Sequence, residues 1–466
     1  MRGVANEELT PEQVFRIGRA GAAYLAACAS GTDLTDRRGR TVRTSRKATG
    51  RRGRPFLVLG RDTRLSGDLL TAAVTAGCCS VGVDILDLGI LPTPGVAYLT
   101  RRLGAAGGIV VSASHNPVND NGIKFFDADG YKLSPEAEAE IEARVLAKKD
   151  RLPRPVGSGV GCRLDGRRHL RSYEDHLTGL AGQGLKGLKV VVDAAFGAAA
   201  GLATRVIRRA GAEVVPMNDL PDGNRINVEC GSTHPEEMNA RVRLEGAAVG
   251  LAFDGDADRV IASDENGRTV DGDEMLAILA LDMMERDGLP GRTVVATVMS
   301  NLGLDLALRA AGGRVLRTPV GDRHVLEEML RGGYLLGGEQ SGHIIILNQN
   351  TTGDGLGAGI SLLEVMVRSG RPLSALASKV QKLPQVLMNV RAERKEKLET
   401  SEKVATAIER VREALGHTGH VLVRPSGTEP VVRIMVEGRD ERRIREMARE
   451  LAGVVAAELG GEVMDD

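Results

Sequence analysis

Three aspartates alternate along one short segment, DGDADR, which runs from Asp254 to Arg259. Carboxylates this close repel one another, so folding them together without a cation raises their pKa values and costs stability. A divalent metal removes that cost, and oxygen ligands suit Mg²⁺ or Ca²⁺. The segment therefore predicts a metal site made by Asp254, Asp256 and Asp258, with a solvated acidic turn as the plainer alternative.

An EF-hand calcium loop would place its first ligands in the same way, with Glu265 as its last ligand. Its sixth position must be glycine for the turn, whereas Arg259 stands there, and the residues RVIAS that follow are typical of a strand. These two features exclude an EF-hand. Three protein carboxylates also leave coordination positions open, which favours a Mg²⁺ ion that shares a phosphate.

Ser114 and His115 end an apolar, strand-like run in the segment GGIVVSASHNP. A serine beside a histidine could be a hydrolytic nucleophile and its base, but no G-x-S-x-G sequence surrounds Ser114. A hydroxyl that faces a metal bound by three carboxylates could instead carry a phosphoryl group, with the metal neutralising its charge. Lys124 could then act as a base or stabilise charge. A simple turn is the alternative.

The segment RPSGTEPVVR contains the residue types that bind a phosphate. Arg424 supplies a planar fork for phosphate oxygens, and Arg433 follows on the next predicted strand. Ser426 and Thr428 offer hydroxyls, and Gly427 lets backbone N–H groups approach an anion. An ordinary turn between two surface arginines is the alternative.

The segment GEQSGH sets Glu339 and Ser341 between glycines. A carboxylate and a hydroxyl on such a loop suit the vicinal hydroxyls of a sugar, although a tight turn would have the same composition. His343, at the end of the segment, could transfer a proton or be structural.

A repeated pattern of strands must position these loops. Three times a strand runs through a polar loop into a helical stretch, a second strand follows, and a third strand ends in SASHNP, DGDADR or GEQSGH. Ligands of open α/β sheets lie beyond the carboxyl ends of strands. We therefore expect the three loops to meet in one cleft between α/β units.

After about residue 380 the pattern changes to that of a smaller α+β domain. The predicted domains are a serine-bearing unit at 1–155, a metal-binding unit at 156–260, a sugar-recognition unit at 261–380 and a phosphate-binding domain at 381–466.

The composition excludes several classes of partner. Lys+Arg and Asp+Glu both number 62, so no net field favours nucleic acid or a membrane. No apolar run reaches the ~18 residues of a transmembrane helix, and the five scattered cysteines fit reduced thiols. We expect a cytoplasmic, multidomain enzyme. The arginine-rich segment 35–54 could bind RNA, but it lacks aromatic residues for stacking, which favours a solvated loop.

The four loops SASHNP, DGDADR, GEQSGH and RPSGTEPVVR, in this order, resemble the signature loops of the α-D-phosphohexomutases. The resemblance covers nearly the whole chain and includes GRDTRLSG, PTPGVAYLT and GSTHPE. It implies three similar α/β units with mixed sheets and a smaller C-terminal α+β domain, arranged around a central cleft. It also implies phosphoryl transfer on a hexose phosphate, through a phosphoserine and a 1,6-bisphosphate that serves as intermediate and activator.

The resemblance implies a role for each loop. Ser114 corresponds to the phosphoserine and supplies a fourth ligand to Mg²⁺ beside the three aspartates, and Arg259 steadies its phosphate. Lys124 and His343 match positions for acid and base work, and His115 is a further catalytic candidate. The sugar is read by Glu339 and Ser341, and its non-reacting phosphate is held by Arg424, Ser426, Gly427, Thr428 and Arg433.

Three positions resemble the bacterial phosphoglucosamine mutase branch of this family. Ala113 precedes the serine, Asp322 follows TPVG and Gln340 lies in GEQSGH. The phosphomannomutase/phosphoglucomutase branch tends to carry glycine, histidine and methionine there. The branch implies interconversion of glucosamine 6-phosphate and glucosamine 1-phosphate, which feeds the synthesis of UDP-N-acetylglucosamine and cell-wall precursors. A carboxylate at Asp322, near C2 of the sugar, could pair with the ammonium group.

The chain departs from the family pattern at several points. It begins MRGVAN where the family begins FGTDGIRGVAN, so either the start is misassigned and real residues lie upstream, or the first sheet lacks a strand. Phe196 and Arg225 stand where the family usually has asparagine, which puts local packing in the second unit in doubt. The basic segment 35–54 resembles an insertion.

Three other functions stay open. Phosphoglucomutase/phosphomannomutase activity would use the same residues, a metal-dependent sugar phosphatase would pass the phosphoryl group to water, and a sensor would bind sugar phosphates without turnover. The expected partners are small-molecule sugar phosphates and, with less support, a second copy of the chain.

Overall fold

The computed structural model describes residues 1–30, 34–35, 41–42, 53–426 and 430–464. Four main sheets follow one another along the chain, and helices pack against them. The arginine-rich segment 35–54 lies almost wholly outside the described residues. Within those residues, no helix combines the length and apolar character needed to cross a membrane.

The first unit contains eight strands and four helices among the described residues, which are, in chain order, β1 (Arg2–Val4), α1 (Pro11–Ala29), β2 (Leu34–Thr35), β3 (Thr41–Val42), β4 (Phe56–Arg61), α2 (Ser66–Cys79), β5 (Asp84–Ile90), α3 (Thr93–Leu103), β6 (Gly107–Val111), β7 (Asp120–Phe126), α4 (Pro135–Val145) and β8 (Arg163–Asp165). Its main sheet has the order β1-β7-β6-β4-β5-β8. Strands β6, β4, β5 and β8 are parallel to one another. β7 is antiparallel to β6, and β1 is antiparallel to β7. All five residues of β6 are buried, as expected for a strand covered on both faces.

The second unit repeats this plan with α5 (Leu170–Gly179), β9 (Lys189–Asp193), α6 (Leu202–Arg209), β10 (Glu213–Met217), α7 (Glu236–Glu245), β11 (Val249–Phe253), β12 (Val260–Asp264) and β13 (Thr269–Val270). Its sheet has the order β10-β9-β11-β12-β13, in which β10, β9 and β11 are parallel and β12 is antiparallel to β11.

The third unit has α8 (Gly272–Glu285), β14 (Thr293–Thr297), α9 (Leu302–Ala310), β15 (Arg314–Thr318), α10 (Asp322–Gly332), β16 (Leu336–Gly338), β17 (Ile344–Ile346), α11 (Gly355–Ser369) and α12 (Leu373–Ala377). Its sheet has the order β15-β14-β16-β17, and only β17 is antiparallel to its neighbour. Asp271 begins α8 with a capping box in which Glu274 is the reciprocal partner.

One feature recurs in all three units. The third parallel strand, which is β6, β11 or β16, turns into an antiparallel strand through a hairpin. These three hairpins carry SASHNP, DGDADR and GEQSGH. The prediction of three similar units with mixed sheets, each with its unusual loop at the same place, is confirmed.

The fourth domain has a different plan. It contains β18 (Gln385–Ala392), α13 (Glu402–Leu415), β19 (Gly419–Pro425), β20 (Val431–Gly438), α14 (Glu441–Leu459) and β21 (Gly461–Met464). The sheet order is β19-β20-β18-β21, and every pair is antiparallel. This is the smaller C-terminal α+β domain that the sequence predicts.

The larger apolar clusters set the fourth domain apart from the first three units. One core runs through the first three units, with members such as Val58, Val192 and Val294. The fourth domain has a core of its own around residues such as Ile434 and Leu451. β8 lies beyond the predicted limit 155 and β12 extends past the predicted limit 260, yet they pair with the first and second sheets. The four domain ranges therefore stay a proposed division.

Candidate active site

Ser114 lies in the hairpin between β6 and β7, where the parallel strands of the first sheet end. Its φ is 54°, an uncommon conformation for a residue with a side chain, and only 2% of its surface is exposed. Its Oγ donates a hydrogen bond to Asp254 Oδ2 at 2.5 Å and lies 3.5 Å from Asp258 Oδ1. The serine of the first unit therefore faces the aspartates of the second.

A buried arginine, Arg64, supports the Ser114 hairpin through hydrogen bonds. The Arg64 guanidinium is fully buried and donates to four backbone carbonyls of the hairpin, those of Ser114, Asn116, Pro117 and Asp120. Its Nε lies 3.0 Å from Asp62 Oδ2, which also accepts a hydrogen bond from Ser112 Oγ at 2.6 Å. The segment GRDTRLSG contributes to the family resemblance, but no role for Arg64 was predicted from it. The feature of the sequence that could have identified Arg64 is the Asp-x-Arg pair directly after a buried strand, because charged side chains at buried positions need partners.

Asp254, Asp256 and Asp258 occupy the equivalent hairpin of the second unit, between β11 and β12. All three are buried, and one carboxylate oxygen from each lies within 4.8 Å of the others. Gly255 allows this hairpin to approach the first unit, because a Cβ there would lie 2.7 Å from the Ser114 carbonyl oxygen. The two hairpins thus pack directly on one another.

The three acids differ in charge behaviour. Burial, followed by the charges of Asp258 and Asp256, raises the pKa of Asp254 well above its ordinary value. Burial also acts to raise the pKa of Asp256, but Lys124 and the Thr93 hydroxyl hold that pKa below its ordinary value. At Asp258 the effect of burial on the pKa is outweighed by Lys124 and His343, and the pKa lies well below its ordinary value. One of the three carboxylates is therefore hard to ionise without a further cation.

The arrangement fits a Mg²⁺ ion. The ligand atoms are carboxylate oxygens, which this metal prefers. Asp256 Oδ1 is buried and has no hydrogen-bond partner among the described atoms. An acceptor left in this way is costly unless a cation or a water satisfies it.

Lys124, on β7, lies beside two of the three aspartates. Its Nζ is 2.6 Å from Asp256 Oδ2 and 3.8 Å from Asp258 Oδ2. Burial lowers the pKa of Lys124, but these two aspartates outweigh that effect and raise it. Lys124 is therefore held as an ammonium group that neutralises charge beside Ser114.

His115 and Arg259 flank the serine and the acids. Burial, and next the charge of Arg259, lowers the pKa of His115 to about 4, so its imidazole is neutral at neutral pH. Arg259 Nε lies 4.0 Å from Asp258 Oδ1 and has no hydrogen-bond partner among the described atoms. An N–H donor left this way suits an anion on the serine.

His343 connects the second and third units. Its Nδ1 lies 3.7 Å from Asp258 Oδ1, and its Nε2 lies 3.7 Å from Asp322 Oδ2. The imidazole is buried, and Nε2 accepts a hydrogen bond from the Gly353 N–H at 3.2 Å.

The remaining third-unit candidates lie on neighbouring loops. Glu339 Oε1 accepts a hydrogen bond from the Gly321 N–H at 3.1 Å, which sets Glu339 beside Asp322, the first residue of α10. Ser341 is exposed. Asp322 pairs with Lys132 of the first unit, a residue that sequence reasoning did not single out.

Arg424 and Arg433 are register partners on β19 and β20 of the fourth sheet. Both line a cavity of about 300 Å³ together with Met299 of the third unit. Burial and the charge of Arg433 lower the pKa of Arg424. Two cations side by side at an interdomain cavity favour binding of an anion there.

Part of the predicted phosphate loop can be described. Ser426 is buried, and its backbone N–H donates to Val431 O at 2.7 Å. Lys395, which sequence reasoning missed, donates to Ser426 O at 2.9 Å and adds a cation beside this loop. Gly427 and Thr428 lie outside the described residues, so their predicted roles stay predictions.

The two unusual residues of the second unit contact each other. The Arg225 guanidinium lies over the Phe196 ring, 4.0 Å from its centroid. Cation–π contact of this kind is attractive. The two departures from the family pattern therefore form one packing pair, near the backbone of Phe196, where Thr63 Oγ1 donates a hydrogen bond.

Four family models match the chain, one for each part of the fold. Those of Phosphoglucomutase/phosphomannomutase alpha/beta/alpha domains I, II and III match residues 33–152, 171–267 and 271–383. The model of the C-terminal domain matches residues 387–454.

Relatives match the chain over nearly its whole length. A phosphoglucosamine mutase of Moorella thermoacetica is 54% identical over 98% of each chain. One of Desulforudis audaxviator is 52% identical over 98% of this chain and 96% of its own.

Solved structures share the fold. A phosphoglucomutase/phosphomannomutase family protein of Burkholderia thailandensis has a TM-score of 0.79 at 25% identity, over 99% of this chain and 97% of its own. An N-acetylphosphoglucosamine mutase of Aspergillus fumigatus has a TM-score of 0.68 at 17% identity, over 98% and 94%. Because the four family models and these relatives span the chain, it belongs to the phosphoglucosamine mutase branch of the phosphoglucomutase/phosphomannomutase family, a family of intramolecular phosphotransferases.

Proposed function

We propose that the chain interconverts glucosamine 6-phosphate and glucosamine 1-phosphate, with Ser114 as the carrier of the phosphoryl group. The observation that carries this proposal is the 2.5 Å contact between Ser114 Oγ and Asp254 Oδ2, which joins two units of the fold at a cluster of three buried acids. Relatives with about half of their residues identical bear the name phosphoglucosamine mutase.

Asp254, Asp256 and Asp258 would hold a Mg²⁺ ion, with an oxygen of phosphorylated Ser114 as a further ligand. When bound, the ion neutralises charge on the transferring phosphoryl group. The protein's own contribution is to hold Ser114 Oγ in a fixed position beside the aspartate oxygens. Arg64 contributes to this, because its hydrogen bonds fix the backbone carbonyls of the Ser114 hairpin.

The first transfer moves the phosphoryl group from Ser114 Oγ to O1 of glucosamine 6-phosphate. The P–Oγ bond breaks, the P–O1 bond forms, and the proton of the O1 hydroxyl passes to a base while Ser114 Oγ regains a proton. The imidazole of His115 is neutral but only weakly basic, because its pKa is lowered to about 4, whereas the ammonium of Lys124 is suited to stabilise charge on Oγ. Arg259, whose Nε–H has no hydrogen-bond partner in the described part of the chain, would steady the phosphoryl oxygens.

The second transfer reverses the first at the other end of the sugar. The glucosamine 1,6-bisphosphate turns around, its P–O6 bond breaks, and a P–Oγ bond forms again on Ser114, leaving glucosamine 1-phosphate. Glu339 and Ser341 would read the sugar hydroxyls in both orientations. Arg424, Arg433 and Ser426 would hold whichever phosphate is not reacting, which suits donors that do not distinguish the two ends.

The fourth domain would close over the sugar and exclude water, so that the phosphoserine is not hydrolysed. Asp322 would face the amino group at C2 and favour an ammonium over a hydroxyl. We also propose a cytoplasmic location, in keeping with the five scattered cysteines of the sequence. Association of two copies stays a prediction.

The test is a side-by-side assay on the 6-phosphates of glucosamine, glucose and mannose, with intact-mass analysis of the protein and of Ser114→Ala. The proposal predicts fastest turnover of glucosamine 6-phosphate and a phosphorylated species that Ser114→Ala lacks. Equal or faster turnover of glucose or mannose 6-phosphate would favour the related mutase activity. Inorganic phosphate released in proportion to substrate would favour a phosphatase instead.

A further inference from the structure

Two consecutive residues of α10 contact the segment of the first unit that leads from the end of β7 into α4. Lys132, which follows β7, forms an ion pair with Asp322, the first residue of α10. The next residue, Arg323, donates to Leu133 O at 3.2 Å and to Glu138 Oε2 at 2.8 Å. The carboxylate proposed to select the amino sugar is therefore held by the first unit as well as by its own helix.

The Asp322 carboxylate already has an ammonium partner. Burial acts to raise the pKa of Asp322, but Lys132 and then His343 outweigh it and hold the pKa well below its ordinary value. The carboxylate is thus charged. The side chains of Lys132 and Asp322 remain 24% and 31% exposed, so the pair can be reached from solvent.

A primary ammonium on this carboxylate has the same charge and the same hydrogen-bond donors as the amino group of glucosamine. The flexible side chain of Lys132 can move away from Asp322 without leaving the carboxylate unpaired, provided that another ammonium group binds there. A sugar hydroxyl carries no charge and cannot replace it. Conversely, the positive charge of Lys132 weakens the attraction of the site for a cationic sugar.

We propose that Lys132 is the resident counter-ion of Asp322, that it yields this carboxylate to the amino group of the substrate, and that its charge sets how strongly amino sugars are preferred over hydroxyl sugars. The inference rests on the proposed function. Lys132 is a positioning residue here, since it acts through Asp322.

The test measures kcat/KM for glucosamine 6-phosphate and glucose 6-phosphate and follows their ratio. Lys132→Met removes the competing charge and should raise the ratio about fivefold, mainly through a lower KM for the amino sugar. Asp322→Asn leaves Lys132 to repel the amino sugar and should lower the ratio about tenfold or more. The double variant, which has no charge at either position, should give an intermediate ratio.

Two controls separate charge from structure. Lys132→Arg keeps the charge and should keep the ratio within about twofold of the wild type. Glu138→Gln breaks the neighbouring ion pair between Arg323 of α10 and Glu138 of α4, without changing the charge at Asp322, and should leave the ratio unchanged. Thermal unfolding of each variant confirms that it is folded, and Lys132→Gln replaces Lys132→Met if the latter is not.

A ratio that stays constant in Lys132→Met and Lys132→Gln, or kcat/KM values that fall equally for both sugars, would overturn the inference and leave Lys132 a structural link. A wild-type protein that turns over neither sugar phosphate would overturn the proposed function itself, so the two failures are distinct.

Discussion

The first three units and the fourth domain contribute to the site in different ways. The three units share one apolar core, and Ser114, the three aspartates and His343 lie buried where they meet. The fourth domain has its own core, and Arg424 and Arg433 face the third unit across a cavity of about 300 Å³. The groups proposed for phosphoryl transfer are thus in contact before substrate binds, whereas the groups proposed to hold the second phosphate belong to a separately packed domain. Changes in the first set should affect chemistry and stability together, and changes in the second set should affect binding alone.

The largest effect is expected from Ser114→Ala. Loss of the proposed carrier oxygen should reduce turnover about 10³-fold or more, because alanine has no oxygen that can accept the phosphoryl group. Turnover of glucosamine 6-phosphate and intact mass measure this. Ser158→Ala, at an exposed position of the same unit, is the control. Substantial turnover by Ser114→Ala would remove the serine from the mechanism.

Asp254→Asn should have opposite effects on activity and on stability. Activity should fall by about 10²-fold or more, because a metal ligand is lost. Without Mg²⁺, the variant should be more stable by about 1–2 kcal/mol, because a buried carboxylate with a raised pKa is replaced by a neutral amide. Urea unfolding in EDTA and in Mg²⁺ tests this, with the exposed Asp287→Asn as control. A variant that Mg²⁺ stabilises as much as the wild type would argue against the metal site.

Arg64→Lys should lower both the catalytic rate and the stability of the first three units. Lysine cannot make the four carbonyl contacts and the Asp62 contact together, so we expect a loss of about 2–3 kcal/mol of stability and a 10- to 100-fold lower kcat. Urea unfolding and steady-state kinetics measure the two effects. A stable variant with unchanged kcat would show that the Ser114 hairpin does not depend on the hydrogen bonds of Arg64.

Arg424→Lys should raise KM about tenfold while stability stays within about 0.5 kcal/mol of the wild type. The reason is that a point charge replaces a planar fork on a domain with its own core. Arg391→Lys, on the neighbouring strand β18 and exposed, is the matched control. If Arg424→Lys changed kcat as strongly as Arg64→Lys, the division between the two regions would not hold.

The smallest effect concerns the contact between the two regions. Glu437, at the end of β20, accepts the N–H of Leu302 at the start of α9 at 2.8 Å. Burial raises the pKa of Glu437 to about 7. A carboxyl with a folded-state pKa above its unfolded value contributes stability at low pH, and that contribution is lost as pH rises through about 7. Thermal unfolding should therefore shift down between pH 6 and pH 8 in the wild type, by about 1 kcal/mol in stability, and Glu437→Gln should show a smaller shift. An equal shift in both proteins would assign the pH dependence to other groups.

Much of the fold and most of the candidate site residues could be predicted from the sequence. Strand and helix periodicity, with a loop of unusual polar residues after every third strand, was sufficient for three similar units and a different C-terminal domain. The aspartates were found because three carboxylates on one short segment repel one another without a cation, and Ser114 was found because a hydroxyl that faces such a metal could carry a phosphoryl group. Arg64 and Lys395 were missed because a single arginine or lysine in a loop carries no local signal of the carbonyls that it will contact.

By itself, the sequence determined which side chains could carry out the reaction, since hydroxyls, carboxylates and guanidinium groups have chemistry that depends on residue type. Only the tertiary structure decided which of them meet. Lys124 pairs with Asp256 across 132 positions of the chain, and Lys132 pairs with Asp322 across 190. Phe196 and Arg225, two separate departures in the sequence, form one contact in space. Such contacts depend on how whole units pack, and the packing of apolar cores acts over distances along the chain that no local pattern records.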